Sequence, residues 1–282
     1  MNNKRGMLFV ALGAISWSFA GVLCKFIPWN PFTINGIRSL FAAILLAVLR
    51  KGVKVRITRG NILGALGVSL TCILYMIALK FTTAANAIVL QYAMPVFVIA
   101  FCWIFYRQKP GMSNTVTALF VIIGVVLCSW EGITGQTAGS GHAFGDAIAL
   151  LSAVTFSLVF FCSKLPDADS QEYSYLGLVM CIPFALYAFF DPAMTLAPVH
   201  WGAVMLLACA LGFGYFFIAK GMKLVTPISA ALISNLEPIL NPVWVFVFMG
   251  ENPGVLTIVG AVIVLTAATI YTLIGNRQTK ND

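Results

Sequence analysis

The chain has 282 residues, 60% of them apolar and only 9% charged, with 17 basic and 9 acidic side chains and a net charge of +8. A soluble domain carries roughly 25% charge, so 26 charges do not cover a globular surface, and a water-soluble catalytic module is excluded. The apolar runs are continuous rather than alternating, which excludes a transmembrane β-barrel as well.

The sequence reads as an all-α integral membrane protein. Apolar runs bounded by Pro, Gly and charge predict ten helices of membrane-spanning length. The first five run over Met7–Ile27, Phe32–Leu49, Ile62–Leu79, Ala85–Phe105 and Thr115–Trp130; the second five over Ala147–Cys162, Tyr175–Phe190, Trp201–Ala219, Ile228–Met249 and Val255–Ile274. About 200 residues in spans leave only short connections. The first run follows Lys4 and Arg5 but is too long for a signal-peptide core, so it is read as a retained span. With the amino terminus inside, 14 of the 17 basic residues fall in cytoplasmic segments, leaving Lys25, Arg38 and Lys80 in the external half. The positive-inside rule then places both termini in the cytoplasm of a bacterial-type cell membrane. The basic loop Arg50–Gly60 is read as topogenic, although such a loop also suits lipid headgroups.

The chain repeats itself. Shifting Gly6–Lys25 by 139 residues aligns Ala14 with Ala153, Ser16 with Thr155, Trp17 with Phe156, Ser18 with Ser157 and Lys25 with Lys164. A shift of 143 aligns Lys80 with Lys223, Thr83 with Thr226, Ala87 with Ala230, Pro95 with Pro238 and Pro110-Gly111 with Pro253-Gly254. This divides the chain into one five-helix unit over 7–130 and another over 145–274, with tails at 1–6 and 275–282. An odd number of spans per unit inverts the second copy, a plan of secondary transporters whose substrate sits near the bilayer midplane.

The quoted stretches also resemble a known family. Gly13–Ala20 (GAISWSFA), Ala78–Leu90 (ALKFTTAANAIVL) followed by Met94–Val96, Lys223–Pro238 (KLVTPISAALISNLEP) and the ending Phe248–Pro253 (FMGENP) are similar to EamA repeats of the drug/metabolite transporter superfamily. The resemblance covers essentially the whole chain. It implies ten helices around a central cavity and transport of small metabolites, often amino acids or their analogues. The G-E-[KR] ending usual in these repeats is met in part by Glu251, whereas Gln108 stands in its place in the first repeat.

Glu237 is the most informative residue. It lies near the middle of the ninth helix, where a charge costs at least ~2.5–3.5 kcal/mol unless it faces a cavity or a partner. Thr226, Ala230, Ser234, Glu237, Asn241 and Trp244 follow helical steps along one face. Pro238 and Pro242 remove backbone donors, which is expected to bare the carbonyls of Ser234 and Pro238 beside the carboxylate. Two readings stand: Glu237 binds a proton, cation or amine, or it is a neutral structural residue bonded to Asn241 or another helix. Its counterpart in the first unit is Met94, and that of Ser234 is Gln91, so binding is expected to be asymmetric, with Gln91 and Tyr92 as hydrogen-bonding groups from the opposite side. For Gln91 an interhelical bond without a ligand is equally open. Pro95 is the first unit's helix-kink residue. Arg38, about two turns inside the second helix, meets a substrate carboxylate, pairs with Glu237, or snorkels outward, the common fate so near a helix end. Trp17 and Tyr215 are the aromatic candidates for a cavity wall, each set among small or polar neighbours, and Gly212 and Gly214 permit close helix approach.

Seven scattered cysteines, with no C-x-x-C pair, give neither a zinc site nor a disulfide framework, and His142 and His200 are read as external-loop residues without metal partners. No Walker motif is present, so ATP does not power the chain. No catalytic residue, metal or other cofactor is expected. The partners expected are a small-molecule substrate and membrane lipids, not nucleic acid, with the chain a monomer or weak dimer. The function expected is a secondary transporter, in the export direction, of a small polar metabolite such as an amino acid or amine, coupled to a proton or ion. A passive facilitator, or an enzyme acting on lipid-linked substrates within the membrane, is the alternative. For the enzyme, paired carboxylates or a nucleophile at membrane depth are missing.

Overall fold

The computed structural model describes residues 2–107, 111–134, 140–250, 254–256, 258–263 and 266–267, and among these the fold is entirely helical. Among the described residues eight helices are long and apolar enough to cross a membrane: Asn3–Lys25, Pro31–Leu49, Arg59–Phe81, Asn86–Tyr106, His142–Cys162, Ser170–Phe189, Pro198–Met222 and Pro227–Met249. A further helix, Met112–Thr134, occupies the place of the expected fifth span. Of the expected tenth, residues 255–256 and 258–263 are helical, and most of the remainder lies outside the described residues. This is a multi-pass membrane protein.

Three of the spans are broken. The first divides into α1 (Asn2–Trp17) and α2 (Ala20–Lys25). After α3 (Pro31–Leu49) and α4 (Arg59–Phe81), the fourth span divides into α5 (Ala84–Gln91) and α6 (Met94–Tyr106). Beyond α7 (Met112–Thr134), α8 (Ser140–Cys162), α9 (Ser170–Cys181), a 3-10 segment (Ile182–Phe189) and α10 (Pro198–Met222), the ninth span divides into α11 (Pro227–Ile233) and α12 (Leu236–Met249). Pro95 and Pro238 each stand just past a break, where the missing N–H cannot close an α-helical turn. The backbone crosses instead through tighter bonds, Val96 N to Ala93 O and Glu237 N to Ser234 O, both 3.0 Å. The Ser234 carbonyl is therefore satisfied, contrary to the expectation that it is bare: the chain tightens into a 3-10 turn. Pro242 lies within α12.

Local capping explains the helix starts. Asn30, Thr58, Thr83 and Asp169 place side-chain oxygens on the backbone N–H groups of Phe32, Asn61, Asn86 and Gln171, and Thr226 accepts from Ser229 N at 3.2 Å. Such caps satisfy donors that a helix leaves open at its start. The positions aligned in sequence, Thr83 and Thr226, thus do the same work.

Packing follows the same correspondence. α1 lies against α10 as α8 lies against α4. A Cβ on Gly6 would sit 2.6 Å from Leu224 Cβ, and one on Gly145 would sit 2.8 Å from the Phe81 carbonyl carbon. Both glycines let a helix start press onto a helix end, and the four residues are related by the two sequence shifts. Trp17 touches its aligned residue Phe156, with ring centroids 5.6 Å apart.

His142 and His200 fall in the first turns of α8 and α10 rather than in loops, because both helices begin earlier than the apolar runs suggest.

Candidate functional site

The breaks in the fourth and ninth spans meet near the centre of the bundle. Glu237 is in the first turn of α12, where the amide dipoles of a helix start favour negative charge. It is 4% exposed. Its Oε2 accepts a 2.5 Å hydrogen bond from the hydroxyl of Tyr92, which sits in the other break and is wholly buried. A carboxylate bonded this way keeps capacity for further donors, because Tyr92 fills one of its several lone-pair sites.

Glu237 borders a cavity of about 40 Å³ together with Trp17, Arg38, Tyr75, Gln91 and Tyr215, with Thr71, Cys72 and Phe156 completing much of the wall. That volume admits water-sized groups. It does not admit a metabolite in this conformation.

Arg38 does not snorkel. It is 2% exposed, and its guanidinium donates to Asn35 Oδ1 at 3.1 Å and to the Cys72 carbonyl at 3.2 Å. Its Nε is buried with no partner among the described residues. The expectation of an outward-reaching arginine fails because Asn35, one turn back on α3, and a carbonyl of α4 capture the head group inside the bundle. The direct Arg38–Glu237 pairing is also absent: the ion pairs among the described residues are Arg56–Glu172 and Lys223–Asp169. A guanidinium and a carboxyl group thus border one small cavity without touching each other, each keeping hydrogen-bonding capacity toward it.

The aromatic walls are built by glycine. A Cβ on Gly214 would overlap the Trp17 indole, so the bare backbone of α10 lets the nitrogen-bearing edge of that ring come close. Trp17 Nε1 donates to Leu211 O at 3.4 Å, and its ring meets Tyr215 edge-on at 4.9 Å. Gln91 donates to Ser152 Oγ at 3.1 Å, the interhelical bond foreseen as its other role, while still lining the cavity. Tyr92 stands behind Glu237 rather than on the wall.

Two residues of the ninth-span stripe lie elsewhere. Ser234 is buried and returns its hydroxyl to Ala230 O at 2.9 Å. Asn241 packs on Gly21 of α2, and neither amide atom reaches a partner among the described residues. Trp244, further along, donates to Ser18 Oγ at 3.0 Å, closing the first-span break against α12. Sequence reasoning missed the contribution of α4: Thr71, Cys72 and Tyr75. Thr71 and Tyr75 are spaced four apart, the one available signal that they share a face.

The ends of the bundle are closed by polar clasps. At one end Thr58 Oγ1 donates to Asp167 O at 2.6 Å, Asn61 Nδ2 to Glu172 Oε2 at 2.8 Å, and Lys223 Nζ to Asp169 Oδ2 at 2.7 Å. Burial pulls the Asp169 carboxyl upward, but the Lys223 ammonium and the backbone N–H groups of Gln171 and Glu172 outweigh it and hold the group below its ordinary value. At the other end Asp191 accepts from Asn30 N at 2.7 Å and Thr33 Oγ1 at 2.6 Å, tying the start of α3 to the turn after the 3-10 segment. Among the described residues no group of three His, Cys, Asp or Glu is placed to hold a metal.

A family model described as the EamA-like transporter family matches residues 4–130 and again 143–273. The chain belongs to the EamA-like transporter family. Among relatives of this EamA-like protein, an uncharacterized transporter of Clostridium kluyveri is 27% identical, with 95% of this chain and 93% of that one aligned. The pseudopaline exporter of Pseudomonas aeruginosa is 25% identical, with 94% of each chain aligned. A solved crystal structure shares the fold at TM-score 0.73 and 17% identity, covering 98% of this chain and 99% of the other. Family and relatives alike indicate a membrane transporter rather than an enzyme.

Proposed function

We propose that this chain is a secondary transporter that exports a small polar metabolite bearing an amine, such as an amino acid or a related compound, by alternating access coupled to a proton or ion. The observation that carries the reading is that Glu237 and Arg38 border one cavity without direct contact. In the loaded state an amine, or the coupling cation, sits against Glu237, and a carboxylate sits against the free edge of Arg38. Trp17 and Tyr215 offer ring faces to the cationic part. Gln91 exchanges its bond to Ser152 for one to the substrate.

The cavity must widen for this, and the broken spans are where it does so. Ten spans in two inverted units, 7–130 and 145–274, give the alternating geometry, with one unit rocking against the other. The matched contacts of Gly6 and Gly145, the paired caps Thr83 and Thr226, and the meeting of Trp17 with Phe156 support that architecture. The cytoplasmic clasp of Asp169 and Lys223 and the external one of Asp191 open in turn. The membrane is a bacterial cell membrane with both termini inside, in line with the basic residues of the loops. The named exporter among the relatives supports the outward direction.

The test is flux in vesicles containing the purified chain, with a pH gradient and a panel of labelled amino acids and amines. Accumulation of one of them against its gradient is expected. Equilibration without accumulation would mean a passive facilitator, and indifference to every compound in the panel would overturn the substrate class.

A further inference from the structure

A second cavity lies at the end of the bundle tied by Asp191, and it shares no lining residue with the cavity that Glu237 borders. It measures about 640 Å³, within the range of roughly 300–1,000 Å³ typical of small-molecule sites. The start of α3, the end of α4, the first turns of α8 and the turn after the 3-10 segment frame it. Much of its wall is aromatic. Phe81 meets Phe144 edge-on with ring centroids 5.2 Å apart, and Phe32 meets Tyr187 at 5.7 Å.

Two charged side chains border this cavity, and they are not equally committed. Asp191 already accepts from Asn30 N, Thr33 Oγ1 and Ala193 N. Lys80 is exposed and gives one hydrogen bond, to Ile27 O at 3.2 Å. An ammonium carries three donors, so Lys80 has donors to spare. Its aligned residue, Lys223, is neutralised by Asp169 at 2.7 Å, whereas no carboxylate among the described residues is within ion-pairing reach of Lys80. The indole N–H of Trp29, a buried lining residue, also has no partner among the described residues.

We propose that this cavity is a second ligand site, which takes a small organic carboxylate with an aromatic body. The carboxylate accepts from the Lys80 ammonium, with the Trp29 N–H as the second donor, and charge assistance strengthens the first of these bonds. The ring packs among Phe32, Phe81, Phe144 and Tyr187, where edge-on and offset contacts add to simple burial. An inorganic anion lacks the ring contacts, and an uncharged aryl compound lacks the bond to Lys80.

The experiment photolabels the full chain, purified in neutral detergent, with para-benzoylbenzoate and maps the adducts to residues by fragmentation. Adducts are expected at Phe144, Tyr187 or their immediate neighbours, and hydrocinnamate should suppress them. The uncharged para-benzoylbenzamide should label these positions about tenfold less. Lys80→Gln, which still has a donor for Ile27 O, should show the same loss with the acid, and Lys80→Arg should restore the labelling. Adducts confined to the Glu237 cavity would overturn the proposal, as would equal labelling by acid and amide or by wild type and Lys80→Gln. Suppression by added phosphatidylglycerol but not by hydrocinnamate would also overturn it, since the cavity would then hold a lipid headgroup. No readout uses transport, so this test stands or falls apart from the transport reading.

Discussion

The Sγ of Cys72 lies 3.6 Å from the hydroxyl of Tyr215, and the two residues are 143 positions apart, the shift that superposes the second half of each sequence repeat. Trp17 and Phe156, 139 positions apart, touch in the same way. All four residues line the cavity that Glu237 and Arg38 share.

That geometry makes Gly214 a sensitive position. Alanine there pushes its methyl group into the Trp17 indole, displacing the ring from Leu211 O and from Tyr215. Overpacking of this kind costs about 1–3 kcal/mol. Thermal unfolding in detergent, followed by tryptophan fluorescence, should show the loss. Gly202→Ala, where nothing lies within 4 Å of the added carbon, should behave as wild type.

Tyr92→Phe removes the hydroxyl that Glu237 accepts from while keeping the ring against Phe156. A hydrogen bond to a charged group contributes about 1.5–3 kcal/mol, so substrate affinity or pumping rate should fall roughly ten- to a hundredfold. The protein should remain folded and at normal level in the membrane. Transport kinetics across pH separates the two: an unchanged profile would show that Tyr92 serves packing alone.

Arg38→Lys keeps the charge but loses the planar fork. Compounds with a carboxylate should bind about tenfold less well, whereas amines lacking one should be unaffected. Equal losses for both classes, read by competition in the flux assay, would assign Arg38 to holding Asn35 and Cys72 rather than substrate.

The clasp at Asp169 gives a pH dependence. Its carboxyl is held below the ordinary value, so its contribution to stability is present above the unfolded carboxylate range, near 3.9, and is lost as pH falls through the lower folded value. Asp169→Asn keeps an N-cap but not the ion pair with Lys223. The gap in unfolding temperature between wild type and this variant should be constant from neutral pH to about 5 and close as pH drops below about 4. At neutral pH the difference should be worth no more than about 1 kcal/mol, since Lys223 is partly exposed.

Much of this arrangement was legible in the residues. Apolar run length pointed to the eight helices of membrane-spanning length found among the described residues, and the aligned Pro and Thr positions pointed to the matching breaks and helix caps. The cavity wall was legible where a polar or aromatic residue stood at mid-span, as with Glu237, Gln91, Trp17 and Tyr215. Arg38 was not, because its closeness to a helix end suggests escape to the surface, and only the fold brings the Cys72 carbonyl to it. Asn241, one turn beyond Glu237 on α12, has the right spacing for the cavity and misses it, because its amide packs against Gly21 of α2 instead. Thr71 offered only its four-residue spacing to Tyr75, and Cys72 no signal, since small polar side chains are common in packed membrane helices.

The most direct test of the central claim is proton-driven accumulation by Glu237→Gln in vesicles, for whichever compound the wild type concentrates. Glutamine keeps the shape and the bond from Tyr92 but neither carries a negative charge nor releases a proton. The account predicts a folded protein in which accumulation is abolished, while Met94→Leu at the aligned position of the other repeat transports as wild type. Accumulation by Glu237→Gln at the wild-type level, with the wild-type pH dependence, would contradict it.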